Sequence, residues 1–225
     1  MIDGPDVRFY GRRKGHDLKP GRQRLFDEAL PLLRLPDDVP QNLPDLFANK
    51  VEEVQLEIGF GAGEHLLHQA LANPEIGYIG AEPYINGVAA LVAGIEREGI
   101  ETIRIFNEDA RLLLPKLPDA SLTKIFLLFP DPWHKARHNK RRFVSEESLD
   151  HFARLLRPGG EFRFASDDAG YVRWTLARAT RHPAFHWTAR GPKDWRTRWP
   201  DASATRYETK NITGLKPVYL TFRRR

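Results

Sequence analysis

Residues 56–63 read Leu-Glu-Ile-Gly-Phe-Gly-Ala-Gly, an apolar strand that carries an acid and then runs into glycine at every second position. Such a turn lets the backbone bend sharply and lets a ligand lie where a side chain would otherwise stand. The spacing is Gly59-x-Gly61-x-Gly63, with Glu57 two residues ahead. It differs from the G-x-G-x-x-G pattern that cradles a pyrophosphate. Glu64 follows at once and would set a negative charge against phosphates. The turn therefore suits a nucleoside cofactor without phosphates, such as S-adenosylmethionine, and disfavours a nicotinamide dinucleotide. Taken alone, the glycines also allow a tight strand-to-helix turn with no ligand.

The rest of the chain alternates strands and helices. Strands are expected at Val54–Ile58, Tyr78–Ala81, Thr102–Phe106, Leu122–Phe129, Glu161–Ala165, His186–Ala189 and Val218–Phe222. Helices are expected at 25–34, Glu64–Ala72, Asn86–Glu98, from Ser145 to Leu156, and at Tyr171–Arg181. Arg157-Pro-Gly-Gly160 reads as a turn, and residues 1–24 as a polar, basic arm. Pro36, Pro40 and Pro44 mark a linker. The nearly continuous apolar run at 122–129 is the pattern of a strand buried on both faces. Strands alternating with helices imply an α/β fold, with helices on both faces of a mostly parallel sheet. Ligands in such folds bind at the carboxyl ends of the strands.

Acids and amides recur at those ends. Glu57 lies in the first strand and Glu82 closes the second; Asn107 and Asp109 follow the third, Asp131 the fourth, and Asp167 and Asp168 the fifth. Each singly reads equally well as a helix cap or turn residue. Together they crowd one rim with anions that repel one another unless a cationic or hydrogen-bonding ligand lies between them. Glu82 stands where a carboxylate accepts from two ribose hydroxyls, and Asp109 where one receives an adenine amino group.

The 35 basic and 30 acidic residues leave a net charge of only +5, but the basic ones cluster. One group runs from Arg8 to Arg24. A second is Lys135, Arg137, Lys140, Arg141 and Arg142. Lys193, Arg196 and Arg198 interleave with Trp195 and Trp199, and the chain ends in three arginines. Basic clusters with aromatic neighbours are the footprint of nucleic-acid binding, although any one of them alone is a solvated surface. With no cysteine there is no thiol chemistry and no cysteine-ligated zinc. His134, His138 and His151 lie in a basic setting that suits surface histidines rather than metal ligands. No apolar run approaches the roughly 18 residues that would span a membrane, and no signal-peptide pattern opens the chain. A cytoplasmic location is expected.

Phe129-Pro-Asp-Pro-Trp-His-Lys135 is the most specific stretch. Two prolines fix the backbone around Asp131, and Trp133 offers a planar face for a base. It is similar to the Asp-Pro-Pro-Tyr motif with which amino-methyltransferases hold a base amino group.

With these segments in view, the chain resembles the bacterial tRNA (guanine-N7-)-methyltransferases, from about residue 8 to 222. The matching segments include Phe9–Gly15, Leu56–His65, Gly80–Pro83, Asn107–Ala110, Leu128–Lys135, Asn139–Arg142, Leu156–Gly160, Ser166–Asp167 and Thr205–Glu208. The resemblance implies a Rossmann-like class I methyltransferase fold with a seven-stranded sheet, in a domain at 45–225 behind an arm and linker at 1–44. It implies S-adenosylmethionine on Glu57, Glu82, Asp109 and Asp131, beside Gly59, Gly61, Gly63 and Asn107. Asp131 is then the active-site acid. Lys135, Asp167, Thr205, Arg206, Tyr207 and Glu208 face the substrate. Arg137, His138, Asn139, Lys140, Arg141 and Arg142 face the tRNA. The implied target is a guanosine in the variable loop.

Guanine N7 has an in-plane lone pair and no proton, so its methylation needs placement more than a base. Carboxylates suit the N1–H and N2–H₂ edge and the positive charge that the product gains. Asp131 is accordingly expected to position and stabilise, with general-base action as the alternative. A methyltransferase acting on a base amino group and a non-catalytic RNA-binding module on the same fold are the competing readings.

Overall fold

Leu122–Leu128 forms β4, and the order of strands around it decides where a ligand sits. The computed structural model describes residues 11, 13–203 and 216–225. The other strands are β1 (Glu53–Ile58), β2 (Ile76–Ala81), β3 (Ile103–Phe106), β5 (Leu156–Ser166), β6 (Phe185–Trp187) and β7 (Val218–Arg224). They form one sheet in the order β3-β2-β1-β4-β5-β7-β6. Pairings from β3 to β5 are parallel, whereas β7 runs antiparallel to both β5 and β6. The chain walks outward from β1 to β3 and then returns to place β4 on the other side of β1. That reversal opens a crevice at the carboxyl ends of β1 and β4.

Seven helices complete the fold among the described residues: α1 (Pro20–Leu33), α2 (Glu64–Ala72), α3 (Ile85–Glu98), α4 (Ala110–Leu113), α5 (Glu146–Leu155), α6 (Ala169–Ala179) and α7 (Pro192–Arg196). Strand alternation divides their support. Tyr78 joins a buried cluster with Leu30, Leu66, Val92 and Ile103, while its neighbour Ile79 joins one with Leu113, Phe152 and Tyr171. Successive strand residues point to opposite faces, so apolar layers cover both sides of the sheet. Helix α5 starts on a capping box: Ser145 Oγ accepts from the Ser148 N–H at 3.1 Å, and Ser148 Oγ accepts from the Ser145 N–H at 2.9 Å. Helix α3 ends at Gly99, whose φ of +64° is a left-handed conformation favoured by glycine.

Two segments differ from the expectation. The helix expected at 25–34 begins at Pro20, since proline is well suited to the first turn. Its Leu30 and Leu33 are buried, and it packs on α3. Beyond it the Leu35 N–H donates to the Ile105 carbonyl at 2.9 Å, which covers the outer edge of β3. Leu35, Val39, Leu43 and Leu46 then enter the core, so the proline-marked stretch is packed rather than free. The expected turn at Arg157–Gly160 lies inside β5, as a bulge: pairing steps from Leu122↔Leu156 to Lys124↔Glu161. Leu156 is fully buried, which holds the strand on both sides of the bulge.

Helix α3 rests against the glycine turn through Gly87. A Cβ there would collide with the Gly61 carbonyl oxygen, a backbone atom that cannot swing aside. Gly87→Ala should therefore destabilise the protein by about 1–3 kcal/mol, the usual cost of overpacking. Denaturant titration tests this, and an unchanged midpoint would show that the turn and α3 are not in contact.

Candidate active site

The carboxyl ends of β1, β2 and β4 enclose a cavity of about 350 Å³, within the range of small-molecule sites. Its floor is glycine backbone. Gly59 has φ +73° and Gly61 has φ +58°, and a Cβ on Gly59 would meet nothing within 4 Å. Both line the cavity, so peptide atoms rather than side chains face whatever enters. Gly63 plays a different part. It caps α2 in a left-handed conformation, and a Cβ there would strike Leu91.

Glu82 forms one wall. Its Oε2 accepts from the Gly61 N–H and its Oε1 from the Tyr84 N–H, both at 2.9 Å. A carboxylate has about four lone-pair positions, so two acceptor sites are left for the cavity that Glu82 lines. Burial raises its pKa above the usual range; repulsion from Asp131 and Glu57 adds to this, while the two backbone bonds oppose it. A carboxylate kept from water beside other anions is where hydroxyl donors and a nearby positive charge bind well. The bare glycine floor and this carboxylate fit S-adenosylmethionine, a cationic nucleoside with a ribose diol and no phosphate.

Asp109 caps α4 by accepting from the Arg111 N–H at 2.9 Å, and its Oδ2 pairs with the Arg111 guanidinium at 3.0 Å. It is buried and lines the cavity with much of its acceptor capacity engaged. Asp131 is exposed at the mouth, between Pro130 and Pro132. Phe129 and Trp133 bracket it with φ of +49° and +48°. Bulky residues seldom adopt that region, and such strain gathers at functional sites. The Phe129 N–H donates to the Ala165 carbonyl at 2.8 Å, and Arg142 Nε donates to the Pro132 carbonyl at 2.8 Å, which holds the loop at both ends.

Other expected cofactor residues lie apart from the cavity. Glu57 is buried beneath the glycine turn, where its Oε2 meets His65 Nδ1 at 2.8 Å. It supports the turn from below. Asn107 is half-buried and, like Glu57 and Gly63, is not a lining residue. On the substrate side, Lys135 is exposed and Asp167 half-buried, both off the cavity wall. Thr205, Arg206, Tyr207 and Glu208 lie outside the described residues.

The basic run divides. Lys135 precedes a 3₁₀ turn at Ala136–Arg141, in which Arg137 and Lys140 are exposed and His138 and Asn139 half-buried. Arg142 corrects the expectation. It is 7% exposed, and its guanidinium lies about 5 Å from the ring centres of Tyr171 and Trp174. In this structure it clamps the loop through the Pro132 carbonyl and is turned away from solvent. Arg141 also departs from the expected surface by lining the cavity, with its guanidinium 4.9 Å from the Trp133 ring centre.

Sequence reasoning missed several contributors. Arg111 links Asp109 to the basic turn by donating to the Arg141 carbonyl at 3.3 Å, and its guanidinium covers Phe143. Tyr84 stands two residues past Glu82 on the cavity wall, a position the rim of acids already marked. Gly11 reaches the cavity because the N-terminal segment is strapped to α3. There Asn86 accepts from the Gly15 N–H at 2.8 Å and donates to the His16 carbonyl at 2.7 Å. No local pattern signals those long-range contacts.

Residues 51–221 match the model of a family described as putative methyltransferase. A curated tRNA (guanine-N(7)-)-methyltransferase of Rhodospirillum rubrum is 53% identical, over 98% of this chain and 89% of that protein. One of Brucella anthropi is 50% identical over 96% and 94%, and one of Roseobacter denitrificans 52% over 97% and 96%. Among solved structures, an antibiotic-related methyltransferase superposes with a TM-score of 0.53 at 13% identity, over 84% of this chain and 96% of the other. An rRNA methylase of Streptococcus thermophilus gives 0.52 at 10%, over 80% and 90%. At those identities the structural matches speak for the fold alone.

Two outcomes follow from the side chains of this site. Glu82 binds its proton more tightly in the folded protein than in the unfolded chain. Its contribution to stability is therefore full below the ordinary glutamate range and is lost as pH rises through the raised value. The stability of wild type relative to Glu82→Gln should fall across that window, and a pH-independent difference between them would deny the shift. Arg142→Ala should destabilise by about 1–3 kcal/mol, because the Pro132 carbonyl loses its partner and the two rings their cation. A melting temperature like that of wild type would return Arg142 to the surface.

Proposed function

The chain belongs to the tRNA (guanine-N7-)-methyltransferases, and on that premise we propose how its own residues divide the work. It is an S-adenosylmethionine-dependent enzyme that methylates N7 of guanosine in tRNA. The single observation that carries the assignment of residues is a shared rim. Glu82 and Asp131 line one cavity, and the Asp131 loop runs straight into the basic turn at 136–141.

Gly59, Gly61 and Glu82 hold the cofactor, with Asp109 at its base-facing end. Bound there, S-adenosylmethionine supplies an electrophilic methyl group. N7 carries no proton, so no residue of the chain need remove one, and the positive charge that a methylated guanine would gain is what a carboxylate at the rim would steady. Asp131, fixed by two prolines and by the Arg142 bond to Pro132, accepts from the guanine edge and steadies that charge. The chief task is alignment, worth most when the reacting atoms are held in line. Asp168 stiffens the loop: it caps α6 by accepting from the Tyr171 N–H at 2.6 Å and pairs with His134 Nδ1 at 3.2 Å. Exposed Arg137 and Lys140 reach for phosphates. We also propose the variable loop as the target region, Lys135, Asp167 and Thr205–Glu208 as substrate contacts, and a cytoplasmic location. Among the described residues no helix is long and apolar enough to cross a membrane.

Incubation with bulk unmodified tRNA and labelled cofactor, followed by nucleoside mapping, tests the assignment. 7-Methylguanosine in the variable loop is expected, and label on an exocyclic amino group would favour the amino-methyltransferase reading. Asp131→Asn should keep most tRNA affinity and lose turnover by roughly 10²-fold or more. Arg137→Ala with Lys140→Ala should weaken tRNA binding and lower its log–log salt slope by roughly one per lost phosphate contact. A near-wild-type rate removes Asp131 from the site, and an unchanged slope leaves the two basic residues as solvated surface.

A further inference from the structure

The basic, aromatic stretch around α7 takes no part in the cavity of Glu82 and Asp131. The structure divides it. Trp199 is turned inward: it is 9% exposed, and its indole N–H donates to the Thr221 hydroxyl at 2.9 Å. Trp195 is half-buried and packs against the larger core cluster, which fixes α7 on the body of the protein. Arg190, Lys193 and Arg196 are exposed. The only acid in sequence between 188 and 200 is Asp194. Its Oδ2 accepts from the Arg190 and Gly191 N–H groups at 2.8 and 3.0 Å, so that carboxylate caps the start of α7. The Arg196 guanidinium lies 4.6 Å from the Trp195 ring centre. A guanidinium that stacks through its face still offers its N–H edge to an anion.

Strand direction decides where α7 stands. β5 ends at Ser166, which pairs with Val218 at the start of β7. β6 pairs with the other end of β7, from Phe185↔Arg224 to Trp187↔Phe222, and the Thr188 N–H then donates to the Thr221 carbonyl. The chain leaving β6 therefore heads toward Val218, and α7 packs on β7. That end of the sheet is the rim that carries Asp131 after β4 and Asp167 and Asp168 after β5. From β4 to α7 is two or three strand intervals, about 10–15 Å. The basic turn at 136–141 leads into Arg142, which covers Tyr171, a member of the same buried cluster that holds Trp195. One apolar layer thus bears both basic elements.

We propose that α7 and the residues just ahead of it form a second RNA-contacting surface, on which Arg190, Lys193 and Arg196 bind phosphates of the tRNA that flanks the methylated guanosine. The inference rests on the proposed tRNA reaction at this rim. Charge complementarity selects the occupant. Two cationic elements about 10–15 Å apart, with the reacting acid on the same rim, match an extended polyanion rather than a single small anion. Contacts of this kind fix orientation and register and read no base. Arg137 and Lys140 hold the strand beside the target, and α7 holds it farther out, so the target nucleotide is approached from a backbone gripped at two points. The three α7 cations therefore act on tRNA affinity and leave the methyl-transfer step to the cavity.

The test uses the full chain and unmodified tRNA, with S-adenosylhomocysteine present for binding and S-adenosylmethionine for turnover. Combining Arg190→Ala, Lys193→Ala and Arg196→Ala should weaken tRNA binding by about 10- to 100-fold and lower the log–log salt slope by about two to three. Its tRNA KM should rise, with kcat at saturating tRNA and cofactor affinity each within about threefold of wild type. Arg190→Lys with Arg196→Lys keeps the charges and should keep the slope. Position is read separately, because the chain has no cysteine of its own. A photo-crosslinker on the thiol placed by Lys193→Cys should attach to tRNA outside the methylated nucleotide. The same reagent on Lys50→Cys, ahead of β1 at the opposite end of the sheet, should attach far less. An unchanged salt slope in the triple alanine variant overturns the surface, as does crosslinking from position 193 no stronger than from position 50. A triple variant that loses kcat while keeping its tRNA affinity overturns it too. A wild-type enzyme that puts no methyl group on guanine N7 defeats the underlying reading instead, which nucleoside mapping shows before any variant is compared.

Discussion

The carboxylate of Glu82 is the constraint on which the rest of the site depends. It joins the glycine turn after β1 to the first residues of the β2–α3 connection through the N–H groups of Gly61 and Tyr84. Those two bonds fix the cavity floor relative to its wall before any ligand arrives. The cost is a buried anion whose proton is held more tightly than usual, next to the charges of Asp131 and Glu57. A hydroxyl-bearing cation relieves both strains at once. The same group therefore shapes the protein and leaves two acceptor positions toward the cavity.

Much of this was legible in the sequence because its causes are local. The glycine spacing announced bare backbone, and Gly59 and Gly61 supply it. The apolar run at 122–129 announced a central strand, and β4 occupies the middle of the sheet. Proximity in sequence does not fix where a side chain points. Glu57 sits in the glycine motif, yet strand alternation buries it against His65. Arg142 sits in a basic run, yet its side chain turns inward to Tyr171 and Trp174, which come from α6. Arg111 and the strap through Asn86 depend on contacts that no short window contains. The bulge inside β5 is a further case. Its proline and glycines read as a turn, and the pairing of Leu156 with Leu122 is set by the fold as a whole.

The Asp131 loop gathers restraints from three directions. The β4–β5 ladder reaches it through Phe129, Arg142 through Pro132, and Asp168 through His134. Asp168 and the Tyr171 hydroxyl, which accepts from the Phe143 N–H at 2.8 Å, both belong to the start of α6. Burial pushes that phenol up to about 12, and its oxygen accepts from the Phe143 and Val144 N–H groups. One helix terminus thus carries the mechanical support of the acid, although it contributes nothing to the cavity wall. Rigid support of this kind is what precise placement of a reacting base requires.

The antiparallel β7 sits between β5 and β6, although it is made after both. Until it exists, β5 shows a bare edge beside the site, and β6 lacks the neighbour that it has among the described residues. Synthesis therefore runs ahead of assembly: a chain emerging from its N-terminus can complete the cofactor half, from β1 to β4, while the other half waits. A nascent chain at that stage carries the glycine turn and Glu82 but has no closed sheet behind the Asp131 loop. Once β5 has formed, its edge is a row of unpaired backbone groups until β7 closes it.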